Sequence, residues 1–182
     1  MQTEVEIKAR IASLLKIRKE LVKIGARRKG SKRIVDIYYT PAKGEKYYGK
    51  NSRLKFRIRY DGGSNKGSLE VHKISSVYEA AEYELPITDV RLVQQMLSEL
   101  RFIKCVVVDK VREDYKYGRL NIVLDKVKGL GEYMEVEMMN TESKKALIAI
   151  KEFYKKIGVS EKDLIIGSSY VEMMMKFNRR KK

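Results

Sequence analysis

The chain has 182 residues, 43% of them hydrophobic, and a formal charge of +16 from 40 Lys and Arg against 24 Asp and Glu. That length suits one hydrophobic core, and that apolar fraction excludes a disordered chain. No apolar run approaches the roughly 20 residues that cross a bilayer, charges at Glu4, Glu6, Lys8 and Arg10 interrupt any leader-like stretch, and the lone Cys105 excludes an internal disulfide.

A cytoplasmic, single-domain protein over residues 1–178 is therefore expected, with 179–182 as a basic tail. The charge excess draws anions: nucleic acid, anionic lipid or phosphate-rich small molecules. Part of it sits in residues 27–33 (Arg-Arg-Lys-Gly-Ser-Lys-Arg), which read as a mobile basic loop.

Residues 3–10 alternate charged with apolar, the period of a strand with two unlike faces. Residues 11–26 place Ile11, Leu14, Leu15, Leu21, Val22 and Ile24 at helical spacing, and Gly25 suits the helix end. Strands are expected over 33–40, 53–60, 67–74 and 78–87, with a turn at 61–65. A helix over 89–100 turns Val90, Val93, Met96, Leu97 and Leu100 inward. Strands over 103–115, 119–127 and 132–139 follow, then a helix over 142–157 capped by Thr141, and a last helix over 161–177.

Strands without strand–helix alternation argue for an α+β fold. About eight antiparallel strands invite closure into a barrel with flanking helices, which removes exposed edges.

The alternation also sorts the charges. Glu4, Glu6 and Lys8 share one face; so do Arg53, Lys55, Arg57 and Arg59; so do Lys110, Arg112 and Asp114; so do Asn121 and Asp125; so do Glu135 and Glu137; so do Glu82 and Glu84. One such strand is an ordinary half-exposed sheet. Here like charges are concentrated on at least five strands, which costs stability unless something of opposite charge binds. In a closed sheet these faces meet inside, as a wet tunnel filled by an anion and a metal. Clustered carboxylates suit a hard cation such as Mg2+ or Mn2+, and clustered Arg and Lys suit phosphate oxygens.

At this point the sequence resembles the CYTH superfamily, also called triphosphate tunnel metalloenzymes. Residues 4–8 (Glu-Val-Glu-Ile-Lys) match its ExExK opening. Asp36-Ile37-Tyr38-Tyr39 is similar to its second strand, Phe56-Arg57-Ile58-Arg59 to its LRIR strand, and residues 69–73, ending in Lys73, to its lysine strand. Glu82 and Glu84 resemble its ExE pair, Lys110 and Arg112 its KxR pair, residues 124–137 its LDxVxxLGxFxExE block, and residues 169–173 its SYxEL helix.

The resemblance implies an eight-stranded antiparallel tunnel and metal-dependent chemistry on triphosphates, by adenylyl cyclases, thiamine triphosphatases or inorganic triphosphatases. Carried over by position, Glu4, Glu6, Glu135 and Glu137 hold the metal. Lys8, Arg57, Arg59, Lys73, Lys110 and Arg112 hold the phosphates. Lys8 and Asp125 are the expected catalytic residues, Asp125 by holding metal or orienting the attacking group. Arg53, Lys55, Glu82 and Glu84 are further candidates.

Two places depart from the family pattern. Ala80 stands where many members carry Arg, and only residues 1–3 precede Glu4, where some cyclases carry a His-Phe linked to purine recognition. His72, out of phase with Lys73, is expected to face outward, and Met173, Met174 and Met175 to form a packing face.

The partner expected is a triphosphate-containing small molecule, and a homodimer is compatible with this reading. A nucleic-acid module explains the charge and the twelve Tyr, but not four paired carboxylates, which would repel phosphate. Hydrolysis needs only phosphates, metal and water, whereas cyclisation of ATP needs the nucleoside fixed as well. Triphosphatase activity is thus expected to exceed cyclic AMP formation.

Overall fold

The computed structural model describes residues 2–43, 53–76 and 78–180. Its strands are β1 (Gln2–Arg10), β2 (Arg27–Pro41), β3 (Leu54–Asp61), β4 (Gly67–Ile74), β5 (Glu79–Ile87), β6 (Phe102–Tyr117), β7 (Leu120–Val127), β8 (Gly131–Met139) and β9 (Leu164–Ile165). Its helices are α1 (Leu14–Lys23), α2 (Val90–Glu99), α3 (Ser143–Lys156) and α4 (Tyr170–Arg179).

Eight strands pair antiparallel in the order β5-β4-β3-β2-β6-β7-β8-β1, and β1 returns to β5 through Glu4 opposite Ala80. The sheet is therefore a closed barrel, and every inward side chain faces a common interior. Only the first half of β1 meets β5; farther along, Lys8 and Ala9 pair with β9 instead.

Apolar patterning decides where each helix sits. The outward residues of β1, β7 and β8, including Ile7, Ile122 and Met134, bury against Leu14, Ile17 and Leu21 of α1 and Ala146, Ile150 and Phe153 of α3. Each such side chain removed from water contributes about 1.5–3 kcal/mol. The Tyr154 hydroxyl anchors α3 between the carbonyls of Ile7 (2.8 Å) and Met134 (3.0 Å). Val90 and Leu97 of α2 cover the outward face of β2 and β3 at Val35, Ile37, Phe56 and Ile58. By contrast, α4 packs Tyr170, Val171 and Met174 against Tyr38, Val108, Val127 and Tyr133. Tyr133 is in phase with inward Glu135, so α4 stops one end of the barrel from within.

Several boundaries differ from the sequence reading. Residues 27–33 are not a loop but the start of β2, paired with β6 from Arg27 opposite Lys116 to Arg33 opposite Val111. Arg28 and Arg33 answer Glu113 and Asp109 of the partner strand, so two of the charges that suggest a loop serve as cross-strand pairs.

Thr141 does not cap α3. Glu142 holds that place, and the Thr141 hydroxyl donates instead to the Met139 carbonyl. The expected helix over 161–177 is divided into a 3-10 turn at Glu161–Asp163, β9 and α4. Gly167, at φ +68°, breaks the run, and Ser169 restarts it with a capping box in which Glu172 accepts from the Ser169 backbone at 2.7 Å. Because α4 continues through Arg179, the expected tail begins inside a helix; residues 181 and 182 lie outside the described residues. Among the described residues no helix is long and apolar enough to cross a membrane.

Candidate active site: a charged tunnel

The barrel encloses a cavity of about 480 Å3. Among the described residues, six cations reach it: Lys8, Lys55, Arg57, Arg59, Lys110 and Arg112. So do Glu4, Glu6, Glu82, Glu135, Glu137 and Glu172. Local alternation puts them there. Lys55, Arg57 and Arg59 occupy one face of β3, while Phe56 and Ile58 point into the outer core beneath α2.

Buried carboxylates hold the arginines from behind. Asp36 is 1% exposed and receives Arg59 through two bonds, Nε to Oδ1 at 2.7 Å and Nη2 to Oδ2 at 3.1 Å. Glu70 takes Arg57 at 2.6 Å and 2.5 Å, and the Tyr38 hydroxyl accepts from Arg57 Nη1 at 3.1 Å. Asp125, wholly buried, receives Arg112 at 2.8 Å and 2.5 Å and lies 3.4 Å from Lys110 Nζ.

Burial by itself pushes the Asp36 carboxyl up, but Arg57, Arg59 and Lys110 outweigh it and hold the group well below the usual carboxylate range. Glu70 is held down in the same way, against burial, chiefly by Arg57. Lys110 moves the other way. Burial, then the neighbouring Arg112, pulls it down to about 8 against the opposing pull of Asp125 and Asp36.

Lys8 is gripped by Glu6 at 2.9 Å and Glu135 at 2.5 Å, and these carboxylates overcome burial to raise it, so it remains an ammonium. Lys55 is the exception: among the described residues no carboxylate lies within ion-pair distance of it, and burial lowers its pKa. Glu172 and Glu6 act on it only at longer range, so its charge is the least compensated of the tunnel lysines.

The acidic groups gather elsewhere on the wall. Glu6 stands opposite Glu137 across β1 and β8, and Glu4 is the next inward residue along β1. One carboxylate oxygen from each of Glu4, Glu6 and Glu137 lies within 4.8 Å of the other two. Glu4 is pushed well up, first by burial, then by its bond to Glu137 and the nearby Glu6; Glu6 is raised by burial and by Glu135. Three mutually repelling oxygen donors fit a hard divalent cation, which would remove the repulsion that now favours protonation.

The other predicted residues fall in several places. Glu135 is not in the carboxylate cluster. It sits one inward step deeper, opposite Lys8, and pairs with Lys8 and Arg112. Asp125 is wholly buried and stands apart from the cluster of Glu4, Glu6 and Glu137; it holds Arg112 and Lys110 instead.

Lys73 does not line the cavity. It is exposed, opposite Leu54, on the outward face of β4. His72 points inward instead, with Nδ1 3.0 Å from Glu82 and Nε2 3.3 Å from Glu70. The register explains the reversal: Lys55 faces His72 and Arg57 faces Glu70, so the inward set of β4 is Ser68, Glu70 and His72. Glu82 lines the cavity, whereas Glu84 is exposed, as is Arg53, just before β3.

Asp36, Glu70, Tyr38 and Tyr170 were missed. Asp36 and Tyr38 share an inward phase on β2, and that parity was the available signal.

The comparisons agree with this geometry. The family model described as "CYTH domain" matches residues 2–169. A protein of Methanocaldococcus jannaschii, provisionally named an adenylate cyclase, is 32% identical over 177 residues, covering 93% of this chain and 97% of the relative. A solved structure from Pyrococcus horikoshii superposes with a TM-score of 0.83 at 21% identity, over 94% of this chain and 99% of that one. A Hippeastrum protein, also provisionally named an adenylyl cyclase and described as having a dominant triphosphatase activity, superposes at 0.68 with 16% identity, over 97% of this chain and 96% of that one. Closed barrel, motif order and family match coincide: the chain belongs to the CYTH domain family.

Proposed function

We propose that this protein is a divalent-metal-dependent enzyme that cleaves triphosphates in its tunnel, and that hydrolysis at the terminal phosphorus exceeds cyclisation of ATP. The observation that carries the reading is the opposition of two walls in one cavity. Arginines braced by buried Asp36, Glu70 and Asp125 stand on one side, and the Glu4, Glu6 and Glu137 cluster on the other.

The braces matter because they fix the guanidinium planes before substrate arrives, so little ordering cost remains at binding. Arg57, Arg59 and Arg112 then present their remaining N–H groups to phosphate oxygens as flat forks, and Lys55 and Lys110 add point charges. Lys8, held charged between Glu6 and Glu135, donates to oxygens that gain charge as the bond breaks. Glu4, Glu6 and Glu137 would hold Mg2+ or Mn2+, which when bound supplies Lewis acidity toward those oxygens.

The second reading, an adenylyl cyclase giving cyclic AMP and pyrophosphate, is favoured by the provisional name of the 32% identical relative. Product analysis separates the two. The protein is incubated with Mg2+ or Mn2+ and either ATP or tripolyphosphate. Orthophosphate as the main product supports hydrolysis; cyclic AMP with matching pyrophosphate and little orthophosphate establishes the cyclase.

A further inference from the structure

Buried tyrosines of this chain generally spend their hydroxyls on a partner: Tyr38 on Arg57, Tyr115 on Glu113, Tyr133 on the Leu130 carbonyl and Tyr154 on Ile7. Two buried hydroxyls have no hydrogen-bond partner among the described residues, those of Tyr39 and Tyr170. Tyr39 packs in the outer core beneath α2, whereas Tyr170, 5% exposed, lines the tunnel. An orphaned buried hydroxyl is unfavourable, and only the one on Tyr170 borders the charged cavity, where a bound anion can complete it.

Everything else about Tyr170 is fixed. The capping box of Ser169 and Glu172 sets the first turn of α4, and the Tyr133 ring meets the Tyr170 ring edge-on at 5.4 Å. The Nζ atoms of Lys8 and Lys110 lie over the Tyr170 ring, 4.3 and 4.8 Å from its centre. An anion shared by these two ammonium groups therefore borders this ring. Burial, then Glu135 and Asp125, keeps the phenol protonated, so it can serve a phosphate as a donor.

From the orphaned hydroxyl and the two lysines above its ring, we infer that Tyr170 is a phosphate-binding residue, its O–H donating to an oxygen of the bound triphosphate once Lys8 and Lys110 turn toward that ligand. The inference rests on the triphosphate reading of the tunnel.

Tyr170→Phe keeps the ring over both lysines and removes only the hydroxyl. Titration calorimetry with tripolyphosphate in EDTA, where no hydrolysis intervenes, should show binding weakened about tenfold in the variant, the effect of one lost hydrogen bond to a charged group. The ligand-free melting temperature should be unchanged or higher, because an unsatisfied group has gone, and Mn2+ affinity at Glu4, Glu6 and Glu137 should be unchanged. Equal tripolyphosphate affinity in the two proteins would overturn the inference and leave the triphosphate site standing. So would a lower ligand-free melting temperature, which would show that the hydroxyl already serves the fold. Wild type that fails to bind tripolyphosphate would remove the tunnel reading and this inference together.

Discussion

At the scale of single residues, the site contains carboxylates with opposite electrostatic fates. Glu4 is raised by burial and by its acidic neighbours, so its charge opposes folding in the absence of a cation. Glu4→Gln should therefore raise the metal-free melting temperature at neutral pH, by about 2–4 °C for each kcal/mol of repulsion relieved. It should also shrink the stabilisation given by Mn2+, which differential scanning fluorimetry reads directly. A lower metal-free melting temperature would show that Glu4 serves the fold instead.

Asp36 behaves in the opposite sense. Its carboxyl is held well below its unfolded value of about 3.9, so it contributes stability fully present above that pH and lost as the pH falls below it. Wild type should lose melting temperature steeply below about pH 4. Asp36→Asn should be less stable at neutral pH, because Arg57 and Arg59 lose a buried partner, and should decline less on acidification. Parallel acid limbs in the two proteins would count against that role.

At the scale of elements, alternation proved a better guide to which residues share a face than to where on the wall each one stands. It paired Glu4 with Glu6 and Glu135 with Glu137, and these parities hold. Depth came from register, which the sequence does not print: Glu137 faces Glu6 while Glu135 faces Lys8, so one carboxylate joins the acidic cluster and the other neutralises a lysine. On β4 the phase is the reverse of the one the motif implies: the resemblance puts Lys73 inward and His72 outward, whereas pairing with β3 fixes Glu70 and His72 inward. The braces were unreadable for a related reason. A buried Asp that holds an arginine looks, in sequence, like any other charged residue on a strand.

The β3–β4 hairpin carries much of this register. A Cβ on Gly67 would stand 2.1 Å from the Arg59 carbonyl oxygen, so backbone has to move to admit it. Gly67→Ala should cost about 1–3 kcal/mol in denaturant unfolding, as overpacking does. It should also weaken tripolyphosphate binding by displacing Arg59. A variant with unchanged stability would mean that the hairpin is looser than its close approach indicates.

At the scale of the molecule, the closed barrel converts ordinary two-faced strands into one compartment. Helices α1, α2 and α3 cover its outer apolar faces, α4 stops one end, and the charges that remain are forced into the interior. The barrel was legible from strand count and parity, and the family from the ordered motifs. The split of the last helix was not, although it brings Tyr170 to the two lysines. The central claim is that this compartment holds a triphosphate and a metal side by side. A crystal structure with Mn2+ and a non-hydrolysable nucleoside triphosphate, with the metal located by anomalous scattering, tests it most directly. The account predicts an anomalous peak about 2.0–2.6 Å from oxygens of Glu4, Glu6 and Glu137, the range of hard cations, with the phosphates between it and Arg57, Arg59 and Arg112. Phosphates on the basic first half of β2 instead, at residues 27–33, or a metal away from these three carboxylates, would contradict it.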